Sequence, residues 1–501
     1  MNSVDSLQYF IPELVVVGTA LITIIYDLLP DSKHNNSTAY IALGGIALTL
    51  IAIFATGAPS ESLFDGMIRI DGFAIYFKVI ALVATAVTIV FSIQSRELDP
   101  NTKGEYYSIL IAVNLGLFMM ASSTNLLMAY LSLEMVSISS YILAGFLTHN
   151  QRSSEASFKY IIYGAVASGT MLFGLSLIFG LTGTASIPEI GGKLARLIED
   201  QDSRLAVMVA VVFILTGLGY KIASVPFHMW SPDVYEGAPI PITAFLSVAS
   251  KAAGFALFIR IFYLGFGQIT NLSTTNWTLL LSIISALTMT FGNLAALPQE
   301  NVKRLLAYSS IAHSGYLLMG AVLLNDTGVK AILFYLTIYL FMNLGAFFVV
   351  ILVANQVGSE MISGYRNLVS RAPLLAISMA IFLFSLVGLP PLAGFAGKWI
   401  LFTAALQEHL YWLVVVAALN SAVSLYYYVR IVKAMFFETA DDQTPLTFSF
   451  GNRLLLLVFV IPTILLFILW EPSYEVINAV IKDFTPTDVG NKLAAVGSQQ
   501  P

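Results

Sequence analysis

Apolar runs long enough to cross a bilayer recur along almost the whole chain, divided by short polar breaks. They fall near 7-29, 39-57, 73-94, 105-121, 126-147, 158-181, 204-230, 240-264, 277-297, 303-324, 329-354, 373-406, 411-437 and 453-470. A spanning helix needs about 20 apolar residues for a hydrocarbon core of about 30 Å. The pattern therefore predicts an all-α polytopic membrane protein of about fourteen transmembrane helices.

Two runs do not read as plain helices. In GYKIASVPFHMWSPDVYEGAP (219-239), Pro226 and Pro232 remove backbone donors. The run 373-406 would be about 50 Å long at about 1.5 Å per residue, too long for one crossing, and GLPP (388-391) interrupts it. Broken helices persist at membrane depth where they line enclosed cavities or transport sites. The breaks lie in spans seven and twelve, each with a lysine close by, Lys221 before Pro226 and Lys398 after Pro391. That spacing predicts a repeat of five spans, and because five is odd the second copy is inverted relative to the first. The expected division is an N-terminal three-helix segment (1-104), two repeats (105-264 and 277-437), and a last helix with a polar tail after Glu471 (453-501). The charged stretch 182-203, with Glu189, Lys193, Arg196, Glu199 and Asp200, is expected to form a short interfacial helix.

Composition narrows the chemistry. Charged residues make up 11% of the 501, against roughly a quarter in soluble domains, which rules out a soluble reading. With no cysteine the chain houses no disulfide, thiolate-ligated iron–sulfur cluster or thiol nucleophile. No HExxH or paired-histidine spacing suggests a metal, and no glycine-rich loop follows a strand to bind NADH. The net charge of -5 comes without a basic block, so no nucleic-acid partner is expected and partners are sought within the lipid bilayer. Met1 to Phe10 carries Asp5 and no Lys or Arg, unlike a cleaved signal, so the first span is taken as retained. Lys and Arg are in excess on the side holding Arg96, Lys103, Arg152, Lys303, Arg304, Arg366 and Arg371, which marks it as cytoplasmic and places both termini outside.

Ionisable residues inside the apolar runs carry the functional argument, because a charge at the centre of a span costs about 2.5–3.5 kcal/mol on insertion scales and normally faces a partner or water. Glu134 lies eight residues into its run, too deep for a carboxylate to reach water, with Ser137 at i+3. Lys251, in FLSVASKAAGF (245-255), is about eleven residues from either end, with Ser247 at i-4. Lys221 and Lys398 are weaker taken singly, since a lysine stem can reach an interface from a helix break, but their matched placement argues for a shared role. His313 sits in a polar stripe with Ser309 and Tyr316, while His228, Asp233 and Glu236 read as a solvated loop. The bland alternative throughout is structural: ion pairs and satisfied hydrogen bonds that hold helices together.

The segments LSLEMVSISSYILAGF (131-146), GYKIASVPFHMWSPDVYEGAPIPITAFLSVASKAAGF (219-255) and GLPPLAGFAGKW (388-399) strongly resemble the proton-translocating antiporter-like subunits of complex I, the NADH:quinone oxidoreductase. The form of the last segment looks most like the subunit N group, called subunit 2 in mitochondria and chloroplasts. The resemblance implies a proton relay of Glu134, Lys221, Lys251, His313 and Lys398, coupled to quinone reduction elsewhere in the complex. It implies no cofactor on this chain, with flavin, iron–sulfur clusters and quinone on other subunits. Partners would be the other membrane subunits, including the antiporter-like subunit M and small membrane subunits, in the cell inner membrane. The sister subunit M typically carries glutamate where Lys398 stands. Multi-subunit sodium/proton antiporters share the central pattern and form the alternative; no extra mid-membrane carboxylate cluster suited to sodium is evident.

Overall fold

The computed structural model of the chain describes residues 3–29, 36–58, 61–197, 200–267, 277–440, 444–482 and 484; Met1, Glu199 and the tail beyond residue 484 lie outside them. Among the described residues eleven helices are long and apolar enough to cross a membrane. Each of the other three expected runs is also helical. Ile11–Asp27 has 17 residues, Val302–Ala321 carries Lys303, Arg304 and His313, and the run 373-406 forms two helices of 15 residues, Pro373–Val387 and Ala393–Gln407.

Both expected breaks are present, and their ends show why they hold. The helix Gln201–Ile222 stops at Ala223 in a left-handed conformation (φ 56°), and the chain re-enters a helix at Trp230–Gly237. Trp230 Nε1 donates to the Tyr220 carbonyl at 3.0 Å, supplying a partner that the interrupted ladder lost. At the second break Gly388 takes φ 88°, a conformation that glycine reaches without steric cost. The Ser385 hydroxyl accepts the Gly394 N–H at 3.0 Å, and Lys398 Nζ donates to the Val387 carbonyl at 2.8 Å. Side chains thus satisfy the groups each broken end exposes.

The two halves of the break also meet closely at Gly394, where an added Cβ would collide with the Ser385 carbonyl oxygen, a backbone atom that cannot turn aside. Gly394→Ala is expected to cost at least the about 1–3 kcal/mol typical of overpacking. The amount of assembled membrane complex on a native gel should drop; a parental level would show that the half-helices separate freely.

The helix Ile240–Phe266 is buried along its whole length, and Asp326–Val357 nearly so, which puts them at the centre of the bundle. Two π-helical stretches, Leu246–Ser250 and Arg260–Phe266, flank the α-helical Lys251–Ile259. Such local widening is frequent at functional positions, and nothing in the apolar pattern announces it. Leu126–Ala144 packs on Lys103–Ser122 as Val302–Ala321 packs on Trp277–Ala296, and Trp230–Gly237 lies on Gln151–Thr182 as Ala393–Gln407 lies on Asp326–Val357.

Two peripheral elements complete the bundle. Ile187–Leu197 is the expected short helix, and Ile187, Ile190 and Leu194 bury one face against Arg260–Phe266. After the last long helix, Phe450–Ile468, the chain is not simply a polar tail: Trp470–Ile481 is helical and buries Ile477, Ile481 and, beyond it, Phe484. Elsewhere large apolar side chains such as Leu21, Ile51, Ile138, Val166 and Leu419 face outward, as suits contact with lipid tails or neighbouring membrane chains.

Candidate functional site

Lys221, Lys251, His313 and Lys398 are all buried, with exposures of 2%, 2%, 2% and 4%, and all face the interior of the bundle. At membrane depth that placement needs polar partners, and each has them. Lys221 Nζ donates to Ser137 Oγ at 3.3 Å, one helical turn from Glu134. Gly254 lies against the Lys221 stem, its missing Cβ letting the central helix approach closely.

Lys251 Nζ donates to the Ser310 carbonyl at 2.6 Å and also contacts Ser310 Oγ. Ser247, four residues earlier, does not serve it: the Ser247 hydroxyl donates to the Ala244 carbonyl and accepts from Asn343. The π-helical turn between them shifts the register that an α-helix would have kept. Ser314 links back to the first break, its hydroxyl donating to the Ile222 carbonyl at 2.6 Å.

His313 Nδ1 lies 2.5 Å from Tyr335 Oη, and its ring is 5.8 Å from that of Tyr316. Lys398 Nζ stands 4.3 Å from the centre of the Tyr316 ring, a cation–π arrangement, and donates to Ser421 Oγ at 3.0 Å. Ser309 pairs with Tyr428 rather than His313. Three local groups result: Ser137 with Lys221, Ser310 with Lys251 and Ser314, and His313 near Tyr316 and Lys398.

Glu134 lies one helical turn before Ser137, the residue that bonds Lys221. It borders a cavity of about 430 Å³ between Leu126–Ala144 and Gln151–Thr182, lined by Tyr130, Tyr141 and Ser168. Glu134 Oε1 is buried without a hydrogen-bond partner, an orphaned acceptor that calls for a proton, water or a neighbouring group.

His228, Asp233 and Glu236 are not a solvated loop. His228 is buried, and Asp233 and Glu236 lie on the helix Trp230–Gly237, half-buried and paired with Arg304 at 2.7 and 2.8 Å. Asp233 also holds Lys159 at 2.6 Å. Other buried charges escaped the sequence reading. Lys78 and Glu13 pair at 2.6 Å, and Arg260 binds Asp71 through two hydrogen bonds of 2.7 and 2.8 Å. Lys78 and Arg260 stand inside apolar runs, so the rule that singled out Lys251 reaches them too. Among the described residues no cluster of histidines or carboxylates could hold a metal ion.

A transmembrane family described as NADH:quinone oxidoreductase/Mrp antiporter matches residues 123–424. The NADH-quinone oxidoreductase subunit N of Anaeromyxobacter sp. (strain Fw109-5) is 45% identical, with 96% of this chain and 98% of that protein covered. The NAD(P)H-quinone oxidoreductase subunit 2 of Gloeothece citriformis is 39% identical over 86% and 84%. Among solved structures, a chain of respiratory complex I from Thermus thermophilus superposes with a TM-score of 0.77 at 28% identity, covering 93% of this chain and 98% of that one. A chain of the Mrp complex from Dietzia sp. DQ12-45-1b gives a TM-score of 0.81 at 20% identity, covering 96% and 98%, a likeness of fold alone.

Proposed function

Because the chain belongs to the NADH:quinone oxidoreductase/Mrp antiporter transmembrane family, and within it to subunit N of complex I, we propose that its buried lysine line carries protons across the membrane while quinone is reduced elsewhere. The chain is a multi-pass, proton-translocating membrane subunit whose partners are the other membrane subunits of that complex. Its part in the enzyme is translocation. The redox groups, flavin, iron–sulfur clusters and quinone, belong to other subunits, and no cofactor is assigned to this one. The complex sits in the cell inner membrane with both termini of this chain on the outer side, as the loop charges favour.

The observation that carries the reading is the burial of three lysines and a histidine inside one bundle, two of the lysines beside the helix breaks. Protons enter from the cytoplasm, pass by way of Glu134, Lys221, Lys251 and His313, and leave near Lys398. An isolated buried ammonium is disfavoured, and a carboxylate approaching it restores its charge, so moving Glu134 relative to Lys221 switches the lysine between holding and releasing a proton. Ser137, one turn from Glu134 on the same helix, already bonds Lys221. Driving one charge against about 100 mV takes about 2.3 kcal/mol, within reach of ionic switching in a low-dielectric interior.

Glu134→Gln tests this directly, because it keeps the volume and removes the charge. Assembly should stay intact while NADH-driven proton pumping in reconstituted vesicles, normalised to assembled complex, falls severalfold. If assembly and pumping fell in equal measure, Glu134 would be a structural group only.

A further inference from the structure

The two lysines beside the helix breaks have different company. Lys221 bonds Ser137, one turn from a carboxylate, Glu134. Lys398 Nζ meets neutral groups: the Val387 carbonyl at 2.8 Å, Ser421 Oγ at 3.0 Å, and the face of the Tyr316 ring, 4.3 Å from its centre. Of the five helices packed against Ala393–Gln407, four contain no Asp or Glu, and the fifth has only Asp326, at its first residue and bonded to Tyr263. Their lysines and arginines lie toward the helix ends. The ionisable side chains buried between those ends are His313 and five tyrosines: Tyr316, Tyr335, Tyr339, Tyr427 and Tyr428. The charge of Lys398 is thus answered by dipoles and aromatic faces.

The three neighbours do not respond alike to the proton on Lys398. The Val387 carbonyl is open to it because the residue four on, Pro391, has no N–H, and as the last residue of Pro373–Val387 it bears the partial negative charge of a helix end. Ser421 donates to that same carbonyl at 2.7 Å, which leaves its lone pairs to Lys398. A neutral amine still has N–H donors, so both bonds persist in either form of the lysine. The ring is selective: the negative face of its quadrupole attracts a cation, and the attraction grows where water is excluded. Tyr316 is only 1% exposed, and its hydroxyl donates to the Ala417 carbonyl at 3.3 Å, which fixes the ring. It stands three residues beyond His313 on one helix, its ring 5.8 Å from the imidazole.

We propose that Tyr316 is a positioning residue of the relay, whose ring face holds the charge of Lys398 in place of a carboxylate and so sets the pH at which this lysine gives up its proton. The inference rests on the relay reading and adds a residue that the reading does not use. The ring carries no net charge, so it steadies the ammonium without trapping it in an ion pair. Its hydroxyl is engaged elsewhere, with Ala417, so the effect belongs to the ring and not to the phenol oxygen.

The test follows NADH-driven pumping against pH in vesicles holding the intact complex, normalised to assembled complex and expressed at each pH as a ratio to the parent. Tyr316→Phe keeps the ring face and loses the bond to Ala417, so its ratio should stay flat. Tyr316→Leu removes the ring. Lys398 should then give up its proton at lower pH, and the alkaline limb of pumping should move down by about half to one and a half pH units, falling no further than the rate of Lys398→Ala. Replacing Tyr316 by trifluorophenylalanine keeps the shape and drains the ring face of negative charge. It should shift the limb the same way, and serves as the readout if the leucine variant fails to assemble. An unshifted limb with leucine or with the fluorinated ring would overturn the proposal, and so would an equal shift in Tyr316→Phe and Tyr316→Leu, which would assign the effect to the hydroxyl. Parental pumping by Lys398→Ala at every pH would instead take Lys398 out of the relay, and with it the reading on which this inference rests.

Discussion

Lys251→Arg is expected to pump no better than Lys251→Met, although it keeps the positive charge. Lys251 is fully enclosed, and its ammonium rests on the carbonyl and hydroxyl of Ser310. A guanidinium could donate to the same two oxygens, so a fixed cation with structural duties would be well served by arginine. A relay group must also release its proton, and arginine, with a pKa above about 12, does not. The expected loss in NADH-driven pumping is about a hundredfold or more for both variants, the scale of removing a positioned proton-transfer group. Because arginine is bulkier and the central helix has no free space, pumping has to be normalised to assembled complex, with the methionine variant as a control of similar volume. Lys398→Arg should be milder, since Lys398 lies beside a broken helix end where Ser421 and water can substitute. Full pumping by assembled Lys251→Arg would mean that this position needs only charge, and the relay would have to be abandoned.

The contrast between Lys251 and its neighbours shows what the sequence could reveal. Its depth in an apolar run was readable, because burying an ammonium is costly enough to demand an explanation wherever it occurs. Both helix breaks were readable for a similar reason: proline cannot continue the backbone ladder, so Pro226 and GLPP mark an interruption whatever surrounds them. The partners were not. Ser247 is the serine that helical spacing offers to Lys251, and Ser310, 59 residues away, is the one it uses. A π-helical turn at Leu246–Ser250 changes the register, and a tertiary contact supplies the replacement; neither leaves a mark on local pattern. Tyr335 beside His313 and Tyr235 beside Ser310 were hidden likewise, since a tyrosine in an apolar run reads as one more aromatic. Glu134 was readable only as a carboxylate inside an apolar run, and the fold adds that it borders a cavity between two helices.

Arg260→Met should cost about 3–5 kcal/mol and all but abolish assembled complex, an effect on stability that pumping assays alone would misread as mechanism. Arg260 is completely buried and grips Asp71 with both terminal nitrogens, while its Nε donates to the Ala121 carbonyl at 2.9 Å. Its guanidinium also lies within about 5 Å of the rings of Phe73 and Phe484, so one side chain ties together the third span, the fourth, the central helix and the C-terminal segment. Asp71 has a second duty, capping the helix Gly72–Gln94 by accepting the Ala74 N–H at 2.8 Å. Removing the arginine leaves the buried carboxylate only Arg69 Nε, 3.8 Å away, to balance it, and that poorly compensated charge, more than any lost attraction, is what destabilises. The double variant Asp71→Asn with Arg260→Met follows from this account. Asparagine caps a helix as well as aspartate does, so the cap survives, and the Asp71–Arg260 pair is removed as a unit. Assembled complex, quantified on native gels with its thermal inactivation midpoint, should recover most of the parental level in the double variant although each single change lowers it. A double variant as poor as Arg260→Met alone would show that the stranded charge is not the cause, and that the packing of the guanidinium between the two phenylalanine rings holds this corner of the bundle instead.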